Sequence, residues 1–170
     1  MENEHDGRKD FDFFVGKWRV KHRKLKELLR GSDQWDEFES TVEDRQIMGG
    51  IGNLEEMIFE RESGRLYGTS LSIYNPKSGL WSQYWVDSAY ATLTPPVVGR
   101  FIDGVGEFFA DDTLDDRPVL ARSRWFEITP ASCMMSLTLR ECRHGRRAPR
   151  RFLRSARSLS TRAALLPAHG

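Results

Sequence analysis

Near its N-terminus the chain reads Asp10-Phe-Asp-Phe-Phe-Val-Gly-Lys-Trp-Arg-Val-Lys-His-Arg-Lys24, and the hydrophobic period changes within this stretch. Its first half has apolar residues at helical spacing and ends at Gly16, a residue that can end a helix, which predicts a short helical turn. The second half alternates strictly, with Trp18, Val20 and His22 on one face and basic residues on the other. This period of two predicts a half-buried β-strand that directly follows an aromatic cap.

The same alternation recurs in short segments along the chain, separated by turn-forming sequences such as Asn75-Pro-Lys-Ser-Gly79. An all-β fold is therefore predicted, an antiparallel barrel or sandwich of about 8–10 short strands with a short N-terminal helical turn. Strand faces that mix aromatic and polar residues favour the barrel, because small barrels can enclose a ligand. The further strands are predicted over 37–43, 54–60, 65–74, 80–86, 97–103, 106–111, 119–127 and 132–140.

Composition is that of one globular domain. The 170 residues are 39% hydrophobic and 30% charged, and no apolar run approaches the roughly 20 residues that span a bilayer. The charged N-terminus does not resemble a secretory signal, so a cytoplasmic protein is expected. In that compartment Cys133 and Cys142 are expected to be reduced thiols, and neither has the spacing of a metal or redox site.

The net charge of +1 combines two unlike segments. Residues 1–133 hold 17 basic and 24 acidic residues, a net charge of −7, whereas residues 134–170 hold nine Arg, no Lys and only Glu141 as an acid, a net charge of +8. All five Trp and all four Tyr lie in the first segment. We therefore predict a flexible arm over 1–9, a barrel domain over 10–140 and a basic, disordered tail over 141–170.

Several motifs resemble a family of bacterial proteins of unassigned function with a lipocalin-like, calycin-type β-barrel. They are Phe11-Asp-Phe-Phe-Val-Gly-Lys-Trp-Arg-Val20, Gly31-Ser-Asp-Gln-Trp35, Gly49-Gly-Ile-Gly-Asn53, Tyr74-Asn-Pro-Lys-Ser-Gly-Leu-Trp81, Trp85-Val-Asp87, Gly104-Val-Gly-Glu-Phe-Phe109 and Asp111-Asp-Thr-Leu-Asp115. The resemblance covers about residues 10–133. It implies a calycin barrel, a fold that hosts binding proteins and some enzymes. After Thr129-Pro-Ala-Ser132 the family continues into Trp-rich closing strands, whereas this chain becomes Arg-rich and Trp-free. We hypothesise that residues 134–170 derive from a frameshift or rearrangement, which would leave an exposed sheet edge and favour a homodimer.

The predicted function is binding of a small apolar or aromatic molecule inside the barrel. The aromatic residues are equally compatible with simple core filling, and His22 with a hydrogen-bonded barrel histidine. One alternative is an enzyme that uses His22 as acid or base, and another is an interaction protein that uses the basic tail, either as an amphipathic helix or as a disordered segment. The candidate cavity residues are Trp18, His22, Tyr67, Trp81, Trp85 and Trp125.

Other features favour ordinary structural roles. The acidic turn containing Asp111, Asp112, Asp115 and Asp116 does not have the spacing of an EF-hand, so no metal site is predicted. Arg122 and Arg124 are expected on the outer face. No nucleophile elbow, metalloprotease motif or phosphate loop is present in the sequence. No cofactor, catalytic residue or specific nucleic-acid partner is predicted.

Overall fold

The computed structural model describes residues 6–141 and, for the backbone alone, residues 161–167. Nine strands lie in the first range: β1 Gly16–Leu25, β2 Trp35–Ile47, β3 Gly52–Arg61, β4 Gly64–Asn75, β5 Leu80–Asp87, β6 Val97–Ile102, β7 Val105–Leu114, β8 Arg117–Thr129 and β9 Ser132–Glu141. A tenth strand, β10, covers Thr161–Pro167. Three short 3₁₀ helices cover Gly7–Lys9, Asp12–Phe14 and Met48–Gly50.

The strands form a closed antiparallel barrel in the order β1-β10-β9-β8-β7-β6-β5-β4-β3-β2. Each strand from β1 to β9 pairs with the next one along the chain, so the topology is a meander. Antiparallel neighbours joined by short turns are what the alternating segments and turn residues predict. The predicted all-β barrel with an N-terminal helical turn is therefore confirmed.

The end of the chain differs from the sequence-based division at residue 140. The backbone of Thr161–Pro167 lies between β1 and β9. Leu165 pairs with Val20 of β1 on one side and with Cys133 of β9 on the other. The predicted tail thus contributes the strand that closes the barrel, and the expected free edge on β1 and β9 is covered. A run such as Ala-Ala-Leu-Leu has no alternation, so periodicity could not separate strand from helix here. The amphipathic helix proposed for the tail includes Ala163 and Leu166, which lie in strand β10, so that part of the helix prediction is wrong. Residues 142–160 and 168–170 lie outside the described residues.

The N-terminal segment closes one end of the barrel. Phe11 and Phe14 are buried there against Trp81, Phe108 and Trp125. Two indole N–H groups hold the segment in place: Trp18 Nε1 donates to the Phe14 carbonyl over 2.6 Å, and Trp81 Nε1 donates to the Gly7 carbonyl over 3.0 Å. Residues 7–9, predicted as part of a flexible arm, therefore form a helical turn that packs on the core, because Gly7 lets Tyr74 approach closely.

Candidate functional site

A cavity of about 470 Å³ occupies the half of the barrel opposite the N-terminal segment. Its wall is mostly apolar and includes Phe38, Phe59, Trp85, Met135 and Leu137. Lys24, Asp111 and Asp112 are exposed and stand where the cavity meets solvent. The closed end and the cavity thus divide the barrel into a packed half and an accessible half.

Small side chains on the inner face create this space. Strand β4 turns Gly68, Ser70 and Ser72 inward. Ala110 of β7 and Ala121 of β8 are cross-strand partners, and both line the cavity. Large residues at the same depth would fill a barrel of this width. At the other end, Trp81 and Phe108 have no exposed surface and belong to the packed core.

Four rings form an aromatic group along one wall of the cavity. The His22 imidazole stacks on Phe38 at 4.7 Å with an interplanar angle of 11° and lies 5.2 Å from Phe59. Phe59 in turn meets Trp85 edge-on at 6.1 Å. The guanidinium of Arg61 lies 4.5 Å above the Phe38 ring, a favourable cation–π geometry. A planar or apolar molecule would find π faces and little competing polarity on this wall.

His22 is held as a neutral hydrogen-bonding group. Its Nε2 lies 2.7 Å from the Ser40 hydroxyl, and burial together with the positive charge of Arg61 lowers its pKa to about 4. Ser40 is buried and does not line the cavity. The Ser–His pair therefore fixes the imidazole and does not present a nucleophile to a ligand.

Two carboxyl groups lie inside the barrel below the aromatic wall. Asp44 on β2 and Glu55 on β3 are cross-strand partners, and both side chains are buried. Asn53 Nδ2 donates to Asp44 Oδ1 over 2.7 Å, but burial still raises the pKa of Asp44 to about 6. Burial and the neighbouring Asp44 raise the pKa of Glu55 to about 8, and the hydrogen bond from the Ser70 hydroxyl opposes that rise. Glu55 therefore presents a carboxyl that is mostly protonated near neutral pH to the cavity.

The structure brings only part of the predicted site together. His22, Trp85 and Trp125 line the cavity. Trp18 and Trp81 are buried in the closed end, where they anchor the N-terminal segment and do not meet the cavity. Tyr67 is 52% exposed and belongs to the outer face, because the alternation of β4 turns Gly68 and Ser70 inward. Placing Tyr67 in the cavity is therefore wrong.

Three cavity residues were absent from the predicted site although the sequence signals them. Phe38 shares the alternating face of β2 with Ser40 and Val42, and Phe59 shares that of β3 with Glu55 and Met57. Glu55 was missed because a glutamate on an alternating segment is normally assigned to the solvent face. Its position two residues from Met57 and four from Phe59 was the available signal.

Several charged groups outside the cavity form ion pairs at the surface. Arg122 and Arg124 project from the outer face of β8 and pair with Glu107 of β7, and Asp115 pairs with Arg30 and Arg117. Within residues 6–141 no three His, Cys, Asp or Glu side chains are placed to hold a metal ion. Cys133 is a buried free thiol whose pKa is raised to about 12 by burial and by Glu55; Cys142 lies outside the described residues.

The comparison with known proteins supports the fold. No protein-family model and no curated protein matches the chain. Among solved structures it is similar to the S-type phycobiliprotein lyase CPES from Guillardia theta, with a TM-score of 0.60 and 13% sequence identity over 94% of this chain and 91% of that chain. A likeness at this identity shows a shared lipocalin-like, calycin-type barrel and leaves activity to be argued from the site. In the described part of the chain, no helix has the length and apolarity to cross a membrane.

Proposed function

We propose that this protein binds a small, largely apolar molecule with an aromatic ring inside the barrel. The observation that carries the proposal is the cavity of about 470 Å³ beside the aromatic wall of His22, Phe38, Phe59 and Trp85. Pockets for small molecules commonly measure about 300–1,000 Å³ and combine apolar walls with a few polar groups. This cavity has that composition, with Glu55 and Gln83 among its polar groups.

The position of the cavity also supports binding over core filling. Strand β6 pairs with β5 only from Trp81 to Gln83. Beyond Gln83, the loop that carries Thr94 lies beside β5 in place of β6. Thr94 exchanges hydrogen bonds with the backbone of Trp85, and Thr94 and Pro95 line the cavity. The wall beside the aromatic group is thus completed by a loop, the kind of segment in which binding residues concentrate. The phycobiliprotein lyase shares the barrel, and the fold is compatible with this proposal without specifying the ligand.

Binding can be tested with N-phenyl-1-naphthylamine, an uncharged dye at neutral pH whose emission rises in apolar surroundings. We expect saturable binding to the wild-type protein and a loss of about tenfold or more in affinity for Ala110→Phe, because a ring at this inward position fills the cavity. Ser82→Phe places the same ring on the outer face of β5 and should leave affinity unchanged. Absence of saturable binding to the wild-type protein, or equal binding by folded Ala110→Phe, would overturn the proposal.

A further inference from the structure

The chemistry of the cavity specifies its ligand more closely. Glu55 lies on the inner face of β3 and lines the cavity, with only 7% of its surface exposed. Its cross-strand neighbours are Asp44 on β2 and Ser70 on β4. Ser70 supplies one hydrogen bond, so a carboxyl group with two oxygens has acceptor capacity left toward the cavity.

The interior around Glu55 is short of positive charge. In the described part of the chain, neither Asp44 nor Glu55 forms an ion pair with a Lys, Arg or His side chain. The titratable groups that line the cavity or face Glu55 are His22 and Lys24 of β1, Asp44 of β2, Tyr84 of β5, Asp111 and Asp112 of β7 and Cys133 of β9. The basic side chains nearest the cavity are Lys24 at its mouth and Arg61 over the Phe38 and Phe59 rings, and both are exposed. Buried carboxyl groups are usually paired with a cation or carry a proton.

We propose that the molecule bound in this cavity is an aromatic amine whose cationic nitrogen pairs with Glu55. The inference rests on the proposed binding function and deepens it. An ammonium group matches the free acceptor positions of Glu55, and the π faces of Trp85 and Phe59 suit both the aromatic ring and the charge.

Proton balance gives this proposal a distinct signature. Without a cation beside it, Glu55 is mostly protonated near neutral pH, because its pKa is raised to about 8. When an ammonium ion enters from solution, the ion pair requires the carboxylate, so the Glu55 proton leaves to the buffer while the amine keeps its own. Binding should therefore release close to one proton, whereas an uncharged ligand of the same shape should release none.

The experiment compares 1-naphthylmethylamine with 1-naphthylmethanol, a pair that differs mainly in the charge of one group. Isothermal titration calorimetry in two buffers of different ionisation enthalpy measures affinity and proton release together. For the wild-type protein we expect the amine to bind about tenfold more tightly, with proton release for the amine alone. Glu55→Gln keeps the size and the Ser70 hydrogen bond and should bring the amine to the affinity of the alcohol. Glu56→Gln makes the same change on the exposed outer face and should keep the preference.

Each outcome decides a different point. Equal affinities and no proton release in the wild-type protein would overturn the amine proposal and leave the binding function standing. Failure of both ligands to bind would count against the binding function itself. A preference for the amine that persists in Glu55→Gln would place the cation elsewhere and overturn the assignment. Should Glu55→Gln not fold, the proton release of the wild-type protein decides the question alone.

Discussion

The indole ring of Trp85 occupies the space that a side chain on Gly68 would need. A Cβ placed on Gly68 would lie 2.3 Å from Cη2 of Trp85 and 3.1 Å from Cε2 of Phe59. Gly68 does not need a left-handed backbone, so the requirement for glycine here is the close approach of an aromatic ring. The position of the Trp85 ring in the cavity wall therefore depends on glycine at residue 68.

Gly68→Ala should displace Trp85 and remodel the aromatic wall. We expect a loss of stability of about 1–3 kcal/mol, as for other overpacked sites, together with weaker dye binding and a shifted tryptophan emission maximum. Thr69→Ala, the neighbouring outward position, is the control. Unchanged emission and dye affinity in Gly68→Ala would show that Trp85 does not lie against β4.

Phe11 should be the main stabilising residue of the closed end. Its ring makes edge-to-face contacts with Trp81, Phe101 and Trp125 at 4.9–5.5 Å and is 3% exposed. Phe11→Ala should cost about 3–5 kcal/mol, measured by urea denaturation. Tyr90→Ala, which removes an aromatic ring that is 81% exposed, should change stability little. A cost for Phe11→Ala no larger than that of Tyr90→Ala would mean that the N-terminal segment is not part of the core.

Periodicity identified the nine strands in residues 6–141 because each has one face in the interior, which fixes an alternating pattern. It identified His22 and Trp85 in the cavity for the same reason. Periodicity could not show which end of the barrel has a packed interior and which end holds the cavity. Trp18 and His22 share the inward face of β1 and differ only in their depth along the barrel. Depth depends on where the N-terminal segment packs. That is set by the hydrogen bonds from Trp18 to the nearby Phe14 carbonyl and from Trp81 to the Gly7 carbonyl, which is distant in sequence.

His22 should remain neutral through the physiological range. Its pKa is lowered from about 6.5 to about 4 by burial and by Arg61. Between these values an unfolded chain binds a proton at this position and the native protein does not, so stability falls as the pH is lowered from 6.5 to 4. The His22 ring signals, assigned by their loss in His22→Gln, should titrate by NMR with a midpoint well below the usual histidine value. A midpoint at or above that value would contradict the buried hydrogen bond to Ser40.

Glu55 should make stability depend on pH in the opposite sense. Its pKa rises from a usual value of 4.5 to about 8 in the native protein, which therefore holds a proton that the unfolded chain has lost. This contribution is fully present below pH 4.5 and disappears as the pH rises through 8. The melting temperature of the wild-type protein should consequently fall relative to that of Glu55→Gln as the pH is raised over this window. Parallel melting curves at every pH would show that Glu55 is not buried as a neutral acid.

Removal of residues 161–170 should open the barrel between β1 and β9. The backbone of β10 pairs with Trp18–Arg23 on one side and Cys133–Leu137 on the other, so its loss exposes two edges with unpaired N–H and C=O groups. Such edges associate with other chains, and we expect the truncated protein to self-associate or melt at a lower temperature, as measured by light scattering and calorimetry. Leu165→Pro interrupts the same ladder in the full-length chain by removing one N–H and should act in the same direction, whereas Leu165→Val should not. A truncated protein that stays monomeric with the wild-type melting temperature would contradict the role of β10 and support a barrel that ends at residue 140.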